Sequence, residues 1–216
     1  MRRFLLIAAG LLAALLALAQ LALPRLAARV VVDRLGGRGE VIAAKVSALP
    51  AIELLWGRAD AVSARVRSYD ARSGDVADDL AETAHVDRLD VTIERVRAAD
   101  GVELRDVRVR KRDGVLSGSA LLDPRRLAGA LPAGVSAAIV PRADGAVVVE
   151  AVVKGIPARL RVVARDGRLV ARPDGLLGIF AAYTLFADPR IAIESVAARP
   201  RPDGRFELSA RARVAS

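Results

Sequence analysis

"RFELSARARVA", residues 205–215, decides how the rest of the chain is read. Phe206, Leu208, Ala210, Ala212 and Val214 alternate with Arg205, Glu207, Ser209, Arg211 and Arg213. A period of two sends successive side chains to opposite faces of a strand, so one face here is apolar and the other charged. The pattern recurs upstream. In "DAVSARVRSY" (60–69) Val62, Ala64 and Val66 alternate with Ser63, Arg65 and Arg67, and in "RLDVTIER" (88–95) Leu89, Val91 and Ile93 alternate with Asp90, Thr92 and Glu94. "IPARLRVVAR" (156–165) repeats it with Ile156, Ala158, Leu160 and Val162 against Arg159, Arg161 and Arg165. Such strands belong to antiparallel sheet with one side in water.

The connections between these runs agree. Asp-Gly stands at 113–114, 144–145, 166–167 and 203–204, each time between alternating segments, and it is the strongest short-range hairpin signal. Long strands joined by hairpins predict a meander. Short helices are expected at 24–35, closed by "GGRG" (36–39), at Asp75–Ala84, and at Pro124–Leu131 with Asp123 as N-cap and Pro at the first helical position. The fold class expected is α+β: a long, curved, mostly antiparallel sheet packed around a few helices, a half barrel of the TULIP kind being one form such a sheet can take.

One segment stands apart. The chain has seven aromatic residues in 216, yet Phe180, Tyr183 and Phe186 fall together in "LLGIFAAYTLFADPR" (176–190). Its apolar run is about 12 residues, too short for the roughly 20 that a helix needs to span a bilayer. Leu176, Ile179, Phe180, Tyr183 and Phe186 share one helical face, which predicts a helix over 176–186, either buried as core or lining an apolar site with Tyr183 as its polar handle.

The N-terminus points to export. Arg2 and Arg3 precede an apolar stretch, "FLLIAAGLLAALL" (4–16), and Ala17-Leu18-Ala19 offers a small-x-small cleavage site. The apolar run continues to Leu23, so residues 1–23 read as a signal peptide cleaved at Ala19 or as a retained anchor, followed by a single domain over 24–216. The expected location is the extracytoplasmic cell envelope. Net charge is +9, and Arg outnumbers Lys 31 to 3, so the positive charge is almost entirely planar guanidinium, suited to phosphate. Nucleic acid is disfavoured, because the basic residues alternate along strands without interleaved aromatics to stack on bases. An anionic lipid surface fits the address better.

Little else nominates chemistry. There is no Cys and no Asn, and the single His excludes multi-His metal centres. His85 reads as a surface or capping residue. Asp75, Asp78, Asp79 and Glu82 have helical spacing that could hold a hard cation, but negative charge near a helix N-terminus is the simpler reading. Ser117 and Ser119 lack an evident base. No catalytic residue, metal ligand or cofactor is assigned, and the chain is not expected to be an enzyme.

The signal followed by "AARVVVDRL" and then "ALPAIELLWGRADAVSARV", with Pro50, Leu54, Leu55, Gly57, Arg58 and Val62, resembles the LmeA-like phospholipid-binding family of actinobacterial envelope proteins. The ending "DPRIAIESVAARPRPDGRFELSARA" is similar to that family's last hairpin, so the resemblance covers nearly the whole chain. The chain departs from the pattern at Ala59, where an aromatic is expected, and in the acidic segment 75–84. The resemblance implies an exported lipid-binding domain supporting envelope glycolipid assembly. Acyl chains would lie in an apolar groove, with Leu54, Leu55, Trp56, Leu176, Ile179, Phe180, Tyr183 and Phe186 as candidate contacts and Arg58 as the candidate for an anionic head group. The partners expected are phospholipid or another anionic membrane lipid and the membrane surface. Two rivals stay open: a structural envelope protein without a cavity, and an enzyme of glycolipid assembly whose carboxylates converge from distant strands.

Overall fold

The computed structural model describes residues 27–30, 32, 39–48, 54, 58–71, 78, 80–81, 83–98, 101–129, 135–140, 146–153, 155–173 and 182–214. Among the described residues twelve strands form two sheets. The first contains β1 (Gly39–Ser47), β2 (Ala59–Asp70), β3 (Val86–Arg97), β4 (Glu103–Arg112), β5 (Val115–Leu122), β11 (Ile191–Pro200) and β12 (Phe206–Val214), in the order β1-β2-β3-β4-β5-β12-β11. The second is a five-strand meander of β6 (Val135–Val140), β7 (Val147–Val153), β8 (Ile156–Arg165), β9 (Arg168–Pro173) and β10 (Tyr183–Phe186). The architecture is sheet-dominated with few helices.

The expected alternation holds in the first sheet. Val66, Leu89, Leu116, Leu122, Phe206 and Val214 are buried on its inner face, while Arg65, Arg108, Arg110, Arg211 and Arg213 lie on the outer face. Asp113-Gly114 and Asp166-Gly167 both take left-handed backbone at the β4–β5 and β8–β9 turns, and Gly204 does so at β11–β12. The β6–β7 hairpin forms as well, although its Asp144-Gly145 turn lies outside the described residues. A further Asp-Gly, at 100–101, joins β3 to β4, with Gly101 at φ 79°.

The sheet departs from a plain meander in two ways. β2 and β3 run parallel, so their connection must cross over, and Asp78, Leu80 and Ala81 within it are helical before a 3-10 turn at Thr83–His85. β5 pairs with β12, so the segment that forms the second sheet is an insertion in sequence between β5 and the β11–β12 hairpin. The alternation also slips once in each of three neighbouring strands: inward positions pass from Val66 to Tyr69, from Ile93 to Val96 and from Val107 to Leu104. Asp106, at φ 48°, carries the slip in β4 beside a register shift between Arg105 and Arg108.

A helix covers Pro124–Gly129 (α1), the rest of the expected Pro124–Leu131 lying outside the described residues, and Asp123 caps it: Arg125 N–H donates to Asp123 Oδ1 at 2.9 Å. Residues 27–30 and 32 are helical within the expected 24–35. The helix expected over 176–186 is corrected, because Tyr183–Phe186 is the edge strand β10 on β9. Residues 176–181 lie outside the described residues. Tyr, Thr, Leu and Phe in succession favour extended backbone, and the helical spacing of the aromatics was one that a strand also accommodates.

Among the described residues three apolar clusters hold the structure. Leu122, Ile139, Val147, Ala198 and Phe206 join the two sheets. Val66, Tyr69 and Val96 pack along the bent ends of β2 and β3. Leu89, Leu116 and Val214, with Leu80 and Ala84 against them, form the third beneath the 78–85 segment. That segment is fastened by Lys111, buried at 4% exposure, whose Nζ donates to Thr83 O at 2.7 Å and Ala84 O at 3.0 Å. Burial pushes the Lys111 ammonium below its usual range, offset in part by the Asp87 carboxylate.

Candidate functional site

Between the inter-sheet cluster and the Leu89 cluster, the inner face of the first sheet carries a row of small apolar positions. Ala44, Ala64, Val91, Val109, Gly118, Ala210 and Val196 are cross-strand neighbours, one per strand. At about 4.8 Å between strands the row runs roughly 29 Å. Larger side chains stand on one flank at Val62, Leu89 and Leu116, and on the other at Val66, Ile93 and Leu208. The row is therefore the floor of a trough.

Two observations show that the trough is open at its centre. Ala210 is exposed although β12 is an interior strand and this is its apolar face. A Cβ placed on Gly118 would meet nothing nearer than Arg108 O at 4.0 Å. Gly118 needs no left-handed backbone, so its missing side chain leaves space rather than easing a turn. Val91 and Val109 beside it are half-buried.

The residues expected to line a site are spread across both sheets. Leu54 is half-buried and Arg58 exposed in the approach to β2, at the end where the Leu89 cluster separates them from the trough. Tyr183 is 65% exposed and Phe186 half-buried, both in β10 on the face of the second sheet that turns towards the core. Leu55, Trp56, Leu176, Ile179 and Phe180 lie outside the described residues, as does the apolar N-terminal run 1–23. Among the described residues no helix is long and apolar enough to cross a membrane. The trough itself was missed: Gly118 looks like a flexible spot in "LSGSA", and only strand order reveals that Ala210 and Val109 flank it.

Polar grooves open on the outer faces. One of about 400 Å³ beside the Asp106 slip is lined by Arg108, Ser119, Arg201, Arg205 and Glu207, with Arg201 paired to Glu207 at 3.1 Å and Arg205 to Asp203 at 2.6 Å. Another of about 360 Å³, on the second sheet, is lined by Arg165, Arg168, Arg172 and Thr184.

Ion pairs knit the periphery. Glu103 accepts from Arg105 Nε at 2.9 Å and from Arg126 of α1, and these guanidinium groups hold its carboxyl below the usual range. Asp78, from the acidic segment, pairs with Arg190 Nη2 at 2.8 Å, and the same nitrogen reaches Asp188 Oδ2 at 2.8 Å. Donation from the Arg190 side chain and backbone N–H brings Asp188 down to about 2. Asp78 is thus satisfied by a guanidinium, and no group of three or more metal-ligating side chains occurs among the described residues.

Compared with family models, with curated proteins and with solved structures, the chain matches none of them.

Proposed function

We propose that this chain is an exported envelope protein that binds phospholipid, with acyl chains lying in the trough across the inner face of the first sheet. The observation that carries this reading is the open centre of that trough: an exposed Ala210 and an unfilled Gly118 on the apolar face of an interior strand pair. Water against such a surface costs free energy that an acyl chain removes, at about 0.8 kcal/mol for each methylene buried. About ten methylenes give ample drive before ordering costs are subtracted. Small side chains along the row let a linear chain lie close to the backbone, whereas a floor of Leu and Phe would fill the space.

The head group would be held by exposed arginine, Arg58 being the first to test, and a guanidinium takes a phosphate through two parallel hydrogen bonds. The likeness to LmeA-like proteins and the N-terminal signal pattern support an envelope address and a role in glycolipid assembly.

Mass spectrometry of lipid extracted from protein purified out of its native membrane tests the proposal. Phospholipid at near-stoichiometric amounts is expected, and Ala210→Phe, which would fill the trough, should reduce it at least tenfold with the fold intact. A wild-type protein free of lipid would leave a structural envelope protein as the better reading.

A further inference from the structure

Among the described residues Lys111 is the one charged side chain that is buried, at 4% exposure. Its Nζ donates to Thr83 O at 2.7 Å and to Ala84 O at 3.0 Å. An ammonium carries three donors, so one N–H is left over. Lys111 makes no ion pair among the described residues, and the Asp87 carboxylate reaches it only through its field. Two carbonyls orient a buried ammonium without neutralising it, and a charge kept out of water with no counter-ion is costly. A breach of that kind is expected where an outside group completes a site.

The place of Lys111 in the sheet says where that group comes from. It lies two residues along β4 from Val109 of the trough floor, in the flanking row Leu89, Lys111, Leu116. Leu89 and Leu116 stand on either side of it across the strands, both buried. Gly118, opposite Val109, is its diagonal neighbour on β5. Diagonal neighbours stand about 7–8 Å apart, within reach of a long side chain. Gly118 puts no side chain between Lys111 and the open centre of the trough. Arg58 stands at the same flank: it precedes Ala59, the partner of Val86, and so lies beside the Thr83–His85 turn that Lys111 holds.

We infer that the ligand's anionic group, a carboxylate or a phosphate at the end of a chain lying in the trough, accepts the third N–H of Lys111 and supplies its counter-ion. This deepens the lipid-binding proposal and rests on it. The class of ligand it names is an amphiphile with an acid group close to its chain, as opposed to a neutral lipid.

Three probes with the same saturated chain separate the possibilities: palmitate, hexadecyl phosphate and hexadecanol. Each is titrated by calorimetry into the full-length protein stripped of bound lipid. At least one of the two acids should bind about tenfold more tightly than hexadecanol, and the tighter one tells carboxylate from phosphate. Lys111→Met should erase that preference while hexadecanol binds as before, which also shows that the variant is folded. In the wild-type protein the NMR signal of the Lys111 ammonium should move with the preferred acid and stay in place with hexadecanol, a readout that needs no variant. Ala210→Phe should weaken all three probes alike. Equal binding of the three overturns the inference and leaves the trough standing, whereas binding of none overturns both. A preference that survives in Lys111→Met also overturns it, and its loss in Arg58→Gln would then put the acid group at the exposed arginine.

Discussion

Lys111 Nζ stands 2.7 Å from the carbonyl oxygen of Thr83, tying the centre of the first sheet to the turn that crosses over its inner face. The ammonium sits where every neighbour in its cross-strand row, Leu89 and Leu116 included, is apolar. It satisfies two carbonyls at the end of the Thr83–His85 turn while bearing the cost of losing water.

That cost gives a signed dependence on pH. Because the folded-state pKa of Lys111 lies below its unfolded value of 10.5, the native state sheds its proton first. Stability should therefore rise with pH through the window below 10.5, since the unfolded chain binds more protons there. Lys111→Met, which keeps the stem and removes the charge, should flatten that rise. Thermal midpoints of both proteins across alkaline pH check it, and identical slopes would contradict it.

Gly118→Val separates an open trough from a packed core. With open space above the backbone, a β-branched residue should stabilise the central strand by about 0.5–1 kcal/mol relative to glycine. Were the site closed, the added methyl groups would overpack it and cost about 1–3 kcal/mol. Chemical denaturation gives the sign, and lipid content should fall in the same variant.

Phe206 and Tyr183 make an opposed pair of aromatics. Phe206, 9% exposed in the inter-sheet cluster, should cost about 3–5 kcal/mol on truncation to alanine. Tyr183, 65% exposed, should cost about 0.5 kcal/mol or less. Equal losses in the two variants would place Tyr183 in the core.

Arg190 should be the residue that keeps Asp188 ionised in acid. With the folded pKa of Asp188 at about 2 against 3.8 unperturbed, its stabilising contribution is present above 3.8 and fades as pH falls through about 2. Arg190→Ala, which keeps the backbone N–H donation, should raise the carboxyl part of the way towards its ordinary range, read by its NMR titration, and should release Asp78 from the β10–β11 corner.

The strands and turns were legible because each is specified within a few residues. Alternation from Phe206 to Val214 fixes a face locally, and Asp113-Gly114 carries its own turn geometry. The short helix after Asp123 was legible for the same reason. What escaped depends on partners far away in sequence. Nothing in "DAVSARVRSY" or "RLDVTIER" distinguishes the parallel pairing of β2 with β3 from an antiparallel one, because side-chain alternation is the same in both. The strand at Tyr183–Phe186 is decided by the free edge of β9 rather than by its own period. Gly118 and Ala210 belong to one site only once β5 and β12, about ninety residues apart, lie side by side.

The pairing of β5 with β12 also sets an order of assembly. β1 to β5 and the five-strand meander can each form from neighbouring segments, but the edge of β5 away from β4 has no partner until the hairpin of Ile191 to Val214 is available. Local hairpins close fast and distant pairings late, so the floor of the trough is completed only once Phe206–Val214 has joined β5. Until then the edge of β5 is bare, and a nascent molecule exposes the backbone that would pair with another copy. Any step that makes Ile191–Val214 available before β1 to β5 fold shortens the interval in which that edge stands open.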